Sequence, residues 1–475
     1  VKLAWWLVLG FMLAMGVNLP AVSANPDVAI GWNERHLKVS LSGGEVAWRS
    51  DVVHSKVLPA NGEIQLQLMV PRASLGEISS QNAALWLQRS LMAHWPTRVL
   101  SMAGGYNLKL LAPEPNQRLP WEAAPTYLPW LPGQQPRVLV VTFPRDETVV
   151  LRDASIVVNP GPNPVKVAKT TFRGQIVLNP NRREMLTSVN VLSMEDYLRG
   201  VVPNEMPAAW SLEALKAQAL AARTYAVRQR GRHEADGFDL CSTIHCQAYG
   251  ALTSEHPRSS QAVVETRGEI ILHGNIVIDA VYHAHAGGQT RNSEHVWGGV
   301  TPYLKGVSIP EEPVMTWTRR ITWNEFTERL RARGLRAHYP YQVAVHNLVD
   351  AGHVGSVRIN SASGEAFVPA GEMRAALDRT LMRSTKFSVR ELDDLLLPFS
   401  APLYQPAFSY EVGNFAGLYH VLLPRQPSFV EFIGQGHGHG VGMSQWGAFG
   451  LARDGYNYRD IIKRFYTGVR IARMW

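Results

Sequence analysis

The order of apolar and polar positions changes character along the chain. Alternation in Glu63-Ile64-Gln65-Leu66-Gln67-Leu68 predicts a strand, and the spacing across Gln81 to His94 predicts an amphipathic helix. Val138 to Phe143, Val165 to Leu178 and Met185 to Leu192 are rich in β-branched residues and set apart by Pro, Gly and Asn, as strands are. Ser193-Met194-Glu195-Asp196 then reads as a helix start, in which the Ser hydroxyl and Asp carboxylate satisfy early helical N–H groups. Pro203 and Pro207 bracket Asn204-Glu205-Met206, so this helix is expected to be short and Glu205 to occupy a constrained corner. A second helix is expected from Leu212 to Arg230, with Ser211 as N-cap. Glu269 to Ala286 reads as a hairpin turning near His273-Gly274-Asn275; its second strand puts Val281, His283 and His285 on one face. Thr322 starts a helix from Trp323 to Arg333, and the Gly-rich run Gly434 to Gly442 leads into a helix at Ser444.

Mixed strand and helix signals predict an α+β fold: a β-rich core, packed helices carrying the Glu205 corner, and a β-rich N-terminal accessory module. The stretch Ala112 to Pro136 holds seven prolines, a density that favours extended backbone and marks a linker. The expected division is residues 1–24, 25–136 and 137–475. At 475 residues more than one domain is the default, because single cores stop growing near roughly 250–300 residues. Two Cys exclude a disulfide-rich scaffold, and 46% hydrophobic with 18% charged residues is a globular balance. Lys2 precedes an apolar run from Leu3 to Val17, followed by Val22-Ser23-Ala24. This pattern reads as a secretory signal cut after Ala24, the alternative being an uncleaved anchor and with it the single membrane contact. The protein is accordingly expected to be exported, to the periplasm, cell envelope or exterior.

Three groups of residues offer chemistry. Glu205, beside Val201, Val202 and Met206, is placed where partial desolvation suits a general acid, although a carboxyl between two prolines is also an ordinary turn residue. His233, Cys241, His245 and Cys246 have the side chains of a tetrahedral Zn²⁺ site; a Cys241–Cys246 disulfide is the competing reading. With all four positions filled by protein, such a zinc would be structural. His283 and His285 share a strand face and suit either a metal or sugar hydroxyls. The charge balance of 47 basic against 39 acidic residues leaves +8, and Arg329, Arg331, Arg333 and Arg336 form a solvated cationic face. No nucleic-acid-binding motif accompanies that charge, so nucleic acid is not an expected partner.

The stretch Glu195-Asp196-Tyr197-Leu198-Arg199-Gly200-Val201-Val202-Pro203-Asn204-Glu205-Met206-Pro207, with its continuation Glu213 to Ala226, closely resembles the signature of the SpoIID/LytB family. Cys241 to Tyr249, Tyr282 to Tyr303 and Gly436 to Tyr466 also look like family blocks, extending the resemblance over roughly Ser155 to Trp475. The resemblance implies a peptidoglycan lytic transglycosylase acting on glycan strands stripped of stem peptides. The family's catalytic glutamate falls on Glu205, which would protonate the oxygen between N-acetylmuramic acid and N-acetylglucosamine and then accept the C6 hydroxyl proton, leaving a 1,6-anhydro end. It further implies zinc at the Cys/His cluster and a sugar groove with Tyr282, His283 and His285, beside which His439 and Gln445 are expected substrate contacts. Trp297 and Trp446 are stacking candidates. Family members usually carry Ser where this chain has Ala286. A second reading is a non-catalytic, glycan-binding enhancer of an N-acetylmuramoyl-L-alanine amidase. A third, a zinc hydrolase using the His-rich cleft, ranks last because no His-Glu-X-X-His is present.

Overall fold

The computed structural model describes residues 26–34, 36–41, 45–49, 53–57, 62–78, 97–102, 105–112, 138–142, 148–152, 156–159, 164–180, 186–334, 337–399, 404–411 and 418–475. The apolar segment 1–24, the helix expected at 81–94 and the Pro-rich stretch from 113 to 136 lie outside these. Helices and several sheets together make an α+β fold, as expected. Its contacts divide the chain into two units. One comprises the described parts of Val1–Pro207 and Gln229–Arg267 with Trp475; the other comprises those of Ala208–Arg228 and Gly268–Met474.

In the first unit a seven-stranded sheet runs in the order Leu240–Cys241, Asp27–Glu34, Leu186–Ser193, Gln175–Pro180, Ile156–Asn159, Glu45–Arg49, Val53–Val57. Asp27–Glu34 is antiparallel to Leu186–Ser193 along its whole length, with Asp27 opposite Ser193. In a second sheet the strand expected around Glu63 to Leu68 lies within Gly62–Ile78 and pairs with His36–Leu41 and Val138–Thr142. Strands from before and after the Pro-rich stretch therefore share both sheets, and residue 136 does not separate them.

At the end of Leu186–Ser193 the chain turns directly into the helix Met194–Glu205. Ser193 caps it: its Oγ accepts from the Asp196 N–H at 3.2 Å and donates to the Asp196 carboxylate at 2.8 Å. Glu195 and Asp196 stand in the first turn, where the positive end of the helix dipole favours them. The helix runs through Pro203 and ends instead at Met206, whose extended backbone (φ −138°, ψ 132°) is what a following proline imposes. Pro203 is tolerated because it forfeits only one hydrogen bond in a final turn.

The second unit carries the helix Leu212–Arg228, buried on almost every side, with even Arg223 fully covered. The hairpin closes at Gly274 as expected, joining Glu269–His273 to Ile276–Val277. Its regular pairing stops at Val277, however, and Tyr282–His283 pairs in parallel with Met443–Ser444. Two three-stranded sheets and the helices Trp323–Ala332 and Ala370–Leu377 enclose a further core around Phe326, Phe432, Val357 and Met373. Thr322 caps Trp323–Ala332, accepting from the Glu325 N–H at 3.2 Å.

Packing in the first unit makes Gly200 a sensitive position. A Cβ there would lie 2.7 Å from Tyr249 Cε2 and 3.1 Å from the Ala251 carbonyl oxygen. Gly200→Ala should therefore destabilise by about 1–3 kcal/mol despite the better helix propensity of Ala. Gly299→Ala, with open space around the added carbon, should not. Urea unfolding midpoints test this, and equal midpoints for the two variants would refute the packing argument.

Candidate functional site

Glu205 is the last residue of its helix and is half-buried, while Val201, Val202 and Met206 are fully packed into the core. Glu205 stands at the negative end of the helix dipole, and the last turn contains no basic side chain. From elsewhere in the same unit, the backbone N–H of Ala248 donates to Glu205 Oε1 at 2.7 Å. The neighbours of Ala248 hold the same helix. Gln247 Oε1 accepts from the Tyr197 hydroxyl at 3.0 Å, the Gly250 N–H donates to the Gly200 carbonyl at 3.0 Å, and the Tyr197 and Tyr249 rings lie 5.3 Å apart. Four consecutive residues thus clamp one helix and orient its terminal carboxyl. Sequence reasoning could not find Ala248, because its contribution is a main-chain donor that any residue but proline supplies.

Just before this clamp, the ligand atoms of His233, Cys241, His245 and Cys246 converge to within 4.8 Å of one another. Among the described residues they form the one group of three or more His, Cys, Asp or Glu side chains so gathered; His283, His285 and His439 form no such group. Both sulfurs are free thiols, so the disulfide alternative is not what the structure holds. His245 Nδ1 lies 3.6 Å from Cys241 Sγ and 3.7 Å from Cys246 Sγ. His233 Nδ1 is 3.2 Å from the Asp236 carboxylate, while its Nε2 is buried without a hydrogen-bond partner. Burial raises both thiols, but at Cys241 hydrogen bonds from Thr243, His245 and Cys246 outweigh it, bringing that thiol down to about 7. At Cys246 burial prevails and the thiol rises to about 11. Two soft sulfurs, two imidazoles and an orphaned buried nitrogen fit a tetrahedral Zn²⁺.

A groove of about 480 Å³ opens in the same unit beside Asn204, the residue before Glu205. Its walls include Phe172, Ser242, Tyr249 and Ser254.

The remaining sequence-predicted residues lie in the second unit, where they are organised by a residue the sequence did not single out. Glu312, almost completely buried, accepts from the N–H groups of Ala286 (2.9 Å) and Gly288 (2.7 Å) and from the Ser444 hydroxyl. Nothing local marks it, since every partner is distant in sequence. His285 has both nitrogens engaged: Nε2 with the Pro313 carbonyl at 2.7 Å, and Nδ1 with the Gly287 N–H at 2.9 Å and the Glu312 carboxylate at 3.2 Å. His439 is likewise used up, Nε2 facing the Tyr282 carbonyl (3.0 Å) and Nδ1 accepting from Val441 N–H (3.1 Å). Both imidazoles serve the fold. His283 differs: its Nδ1 donates to the Val441 carbonyl at 3.0 Å, leaving a buried Nε2 with no partner. Tyr282 is half-buried against Tyr225, and Gln445 is buried, 3.4 Å from Gln218 Oε1. Trp446 packs edge-on against Trp210, whereas Trp297 stays half exposed against the His439 ring.

Burial holds three imidazoles of this unit below the ordinary value of 6.5: His439 at about 4, His353, whose Nδ1 lies 2.9 Å from Thr385 Oγ1, at about 3, and His283 lower than usual as well. The unfolded chain takes up protons as pH falls through about 6.5, while the native chain does not until far lower. Their contribution to stability is therefore complete above about 6.5 and declines from there toward pH 4. The denaturant midpoint should be lower at pH 5 than at pH 7.5, and His353→Gln should flatten that dependence. A slope unaffected by His353→Gln would contradict the assignment.

The family model described as SpoIID, stage II sporulation protein, matches residues 182–273, a span containing Glu205, Ala248 and the whole Cys/His cluster. The chain is 30% identical over 303 residues to an uncharacterized protein of Brachyspira hyodysenteriae, covering 63% of this chain and 72% of that one. It is 27% identical over 355 residues to the stage II sporulation protein D of Bacillus subtilis, covering 71% and 91% respectively. It is also 30% identical over 299 residues to the amidase enhancer of Bacillus subtilis, spanning 58% of this chain but only 40% of that protein. With the Pro-Asn-Glu-Met-Pro corner and its Ala248 clamp inside the matched span, the chain belongs to the SpoIID/LytB family.

Proposed function

We propose that the protein is an exported lytic transglycosylase that cuts the glycan strands of peptidoglycan, with Glu205 as its one general acid and base. The observation that carries this reading is the oriented carboxyl: Glu205 stands at a proline-bounded helix end, held by the Ala248 N–H at 2.7 Å. Protonated Glu205 gives its proton to the oxygen linking N-acetylmuramic acid to N-acetylglucosamine, and the C1–O bond breaks with positive charge developing at C1. The resulting carboxylate takes the proton of the C6 hydroxyl as that oxygen bonds to C1. The product is a 1,6-anhydro end, no water is consumed, and Glu205 regains its starting proton. One carboxyl suffices because each step restores what the other used. An exported location agrees with substrate in the cell wall; no helix among the described residues is long and apolar enough to cross a membrane.

Zn²⁺ bound by His233, Cys241, His245 and Cys246 would act as a structural cross-link, since the protein fills all four positions. Its effect on the chemistry would be indirect, by stiffening the turn that precedes Ala248.

A second reading, a glycan-binding enhancer of a cell-wall amidase, draws on the relative of that name. The two separate on one assay. Denuded glycan strands incubated with wild type should yield 1,6-anhydro ends by mass spectrometry. Glu205→Gln, nearly isosteric but unable to exchange the proton, should lose at least about 10²–10⁴ of the rate while still binding glycan. Equal cleavage by the two proteins would refute the role of Glu205, and binding without cleavage by either would favour the enhancer. Elemental analysis should find about one Zn²⁺ per chain, and none after Cys241→Ser with Cys246→Ser. Metal-free protein of unchanged stability carrying a Cys241–Cys246 disulfide would overturn the zinc assignment.

A further inference from the structure

In the second unit the strands Thr316–Thr322, Phe429–Gln435 and Phe387–Leu392 form one three-stranded sheet. The chain that leaves this sheet after Leu392 and re-enters it at Phe429 has an unusual charge pattern. From Glu391 to Pro424 it contains no Lys or Arg, and from Leu395 to Pro424 its one acidic residue is Glu411. Arg390 and Arg425 stand immediately outside that interval.

The interval begins with an apolar turn. Leu395, Leu396 and Leu397 are 77%, 44% and 56% exposed, yet their backbone is closely tied. Asp393 Oδ1 accepts from the N–H groups of Leu395 and Leu397, both at 2.9 Å. The Asp393 carbonyl accepts from the Leu396 N–H, and the Asp393 N–H donates to the Leu397 carbonyl, both at 3.0 Å. Leu396 has φ 61°, a left-handed conformation that residues with a side chain rarely take. Three adjoining leucines are thus held out in water by a strained, well-bonded turn, and an exposed apolar cluster of this kind marks a contact surface.

Further along, Tyr404–Glu411 and Leu418–Pro424 pair with each other and, among the described residues, with no other strand. A two-stranded ribbon by itself is marginal in water. Its register sets Tyr410 opposite Tyr419 and Phe408 opposite Val421, two successive pairs on one face.

The base of the ribbon has the opposite character. Arg320 Nη2 and Arg390 Nε each lie 2.7 Å from the Glu431 carboxylate, so two guanidinium groups share one acid. Arg425 is exposed, its guanidinium 5.9 Å from the centre of the Phe399 ring. The nearby acids are engaged, Asp393 by the turn and Asp394 by the Ser428 hydroxyl. Polarity therefore runs from an apolar projection without cations to a base that carries them, the order in which a bilayer offers acyl chains and then phosphates. A protein partner would need a pocket shaped to the three leucines, whereas acyl chains close around any apolar projection.

We infer that the Leu395–Leu397 turn and the ribbon beyond it dock on the surface of a phospholipid bilayer, with the leucines at the acyl-chain boundary and Arg320, Arg390 and Arg425 toward the headgroup phosphates. The contact is interfacial: strands of eight and seven residues are shorter than the roughly 9–11 a membrane strand needs, and an open ribbon would leave backbone groups unpaired in hydrocarbon. It does not depend on what Glu205 does.

The test is flotation of the mature chain from Asn25, free of the apolar segment before it, with vesicles of phosphatidylcholine and phosphatidylglycerol in equal parts. Wild type should float with them, and Leu395→Ser combined with Leu397→Ser should lower the partition coefficient at least about tenfold. Ile276→Ser, which removes an apolar side chain 65% exposed elsewhere in the unit, should leave it unchanged. Circular dichroism checks that the variants are folded. Hydrogen exchange of wild type keeps the test decisive if the double variant is not: vesicles should slow exchange between Leu395 and Pro424 and leave Trp323–Ala332 as it was. Wild type that does not float, a folded double variant that floats as well as its parent, or exchange unaltered between Leu395 and Pro424 overturns the inference. Self-association in lipid-free solution that the double variant abolishes, with neither protein floating, overturns it too and assigns the leucines to a second copy of the chain.

Discussion

One hydrogen bond, from the Ala248 N–H to Glu205 Oε1, is the constraint on which the rest of the first unit converges. A carboxyl at the C-terminal end of a helix is electrostatically misplaced, and a side chain of three rotatable bonds is poorly fixed by one end of a helix alone. The fold answers both difficulties with a single short segment. Gln247, Ala248, Tyr249 and Gly250 each touch the Glu205 helix or its partners, and they do so only because Gly200 has no side chain to keep Tyr249 away. Upstream, the strand Leu186–Ser193 lies centrally in its sheet and launches the helix without an intervening loop. The position of the carboxyl is thus set by a sheet at one end of the helix and a clamp at the other.

In the second unit a buried carboxylate plays the organising role instead. Glu312 gathers the N–H groups that follow His285 and the hydroxyl that caps the helix Gln445–Arg453. A carboxyl removed from water this completely must be met by hydrogen-bond donors, and here main-chain and hydroxyl groups meet it. The histidines around it are consumed in the same manner, which is why a His-rich pattern that looks like a ligand set turns out to be mostly internal scaffolding. Gly438 and Gly442 belong to that scaffolding: added Cβ atoms would lie 2.6 Å from His283 Cβ and 2.2 Å from the Val281 carbonyl oxygen. The glycine run lets one strand approach another closely.

What the sequence disclosed was what local chemistry determines. The Ser193 and Thr322 caps, the Leu212–Arg228 helix and the turn at Gly274 follow from residues a few positions apart, and each lies where its pattern predicts. The Cys/His group was legible because thiol and imidazole at short spacing have few common uses, and its four members do converge. Pro203 misled, since a proline in a last turn ends less than one in a helix interior. Tyr282 to Ala286 misled differently: alternation put His283 and His285 on one face, and both are buried, but it did not show that the strand would leave its hairpin for a parallel partner some 160 residues on. Ala248 and Glu312 were illegible in principle. One acts through its backbone, and the other through partners that adjacency in sequence cannot reveal.

The clamp also weighs on the choice between catalysis and binding. A module that only held glycan would need a groove, and the one beside Asn204 is lined without Glu205. It would have no use for a carboxyl confined by prolines at a helix end and oriented by a main-chain donor. Under the proposed catalytic reading, that orientation holds the carboxyl where a proton has to be delivered and recovered. Because the 241–246 cluster leads straight into residues 247–250, anything that rigidifies that cluster narrows the positions open to Ala248 and hence to the carboxyl. A metal there would act on the reaction without touching it, through Gln247, the one residue that separates Cys246 from Ala248.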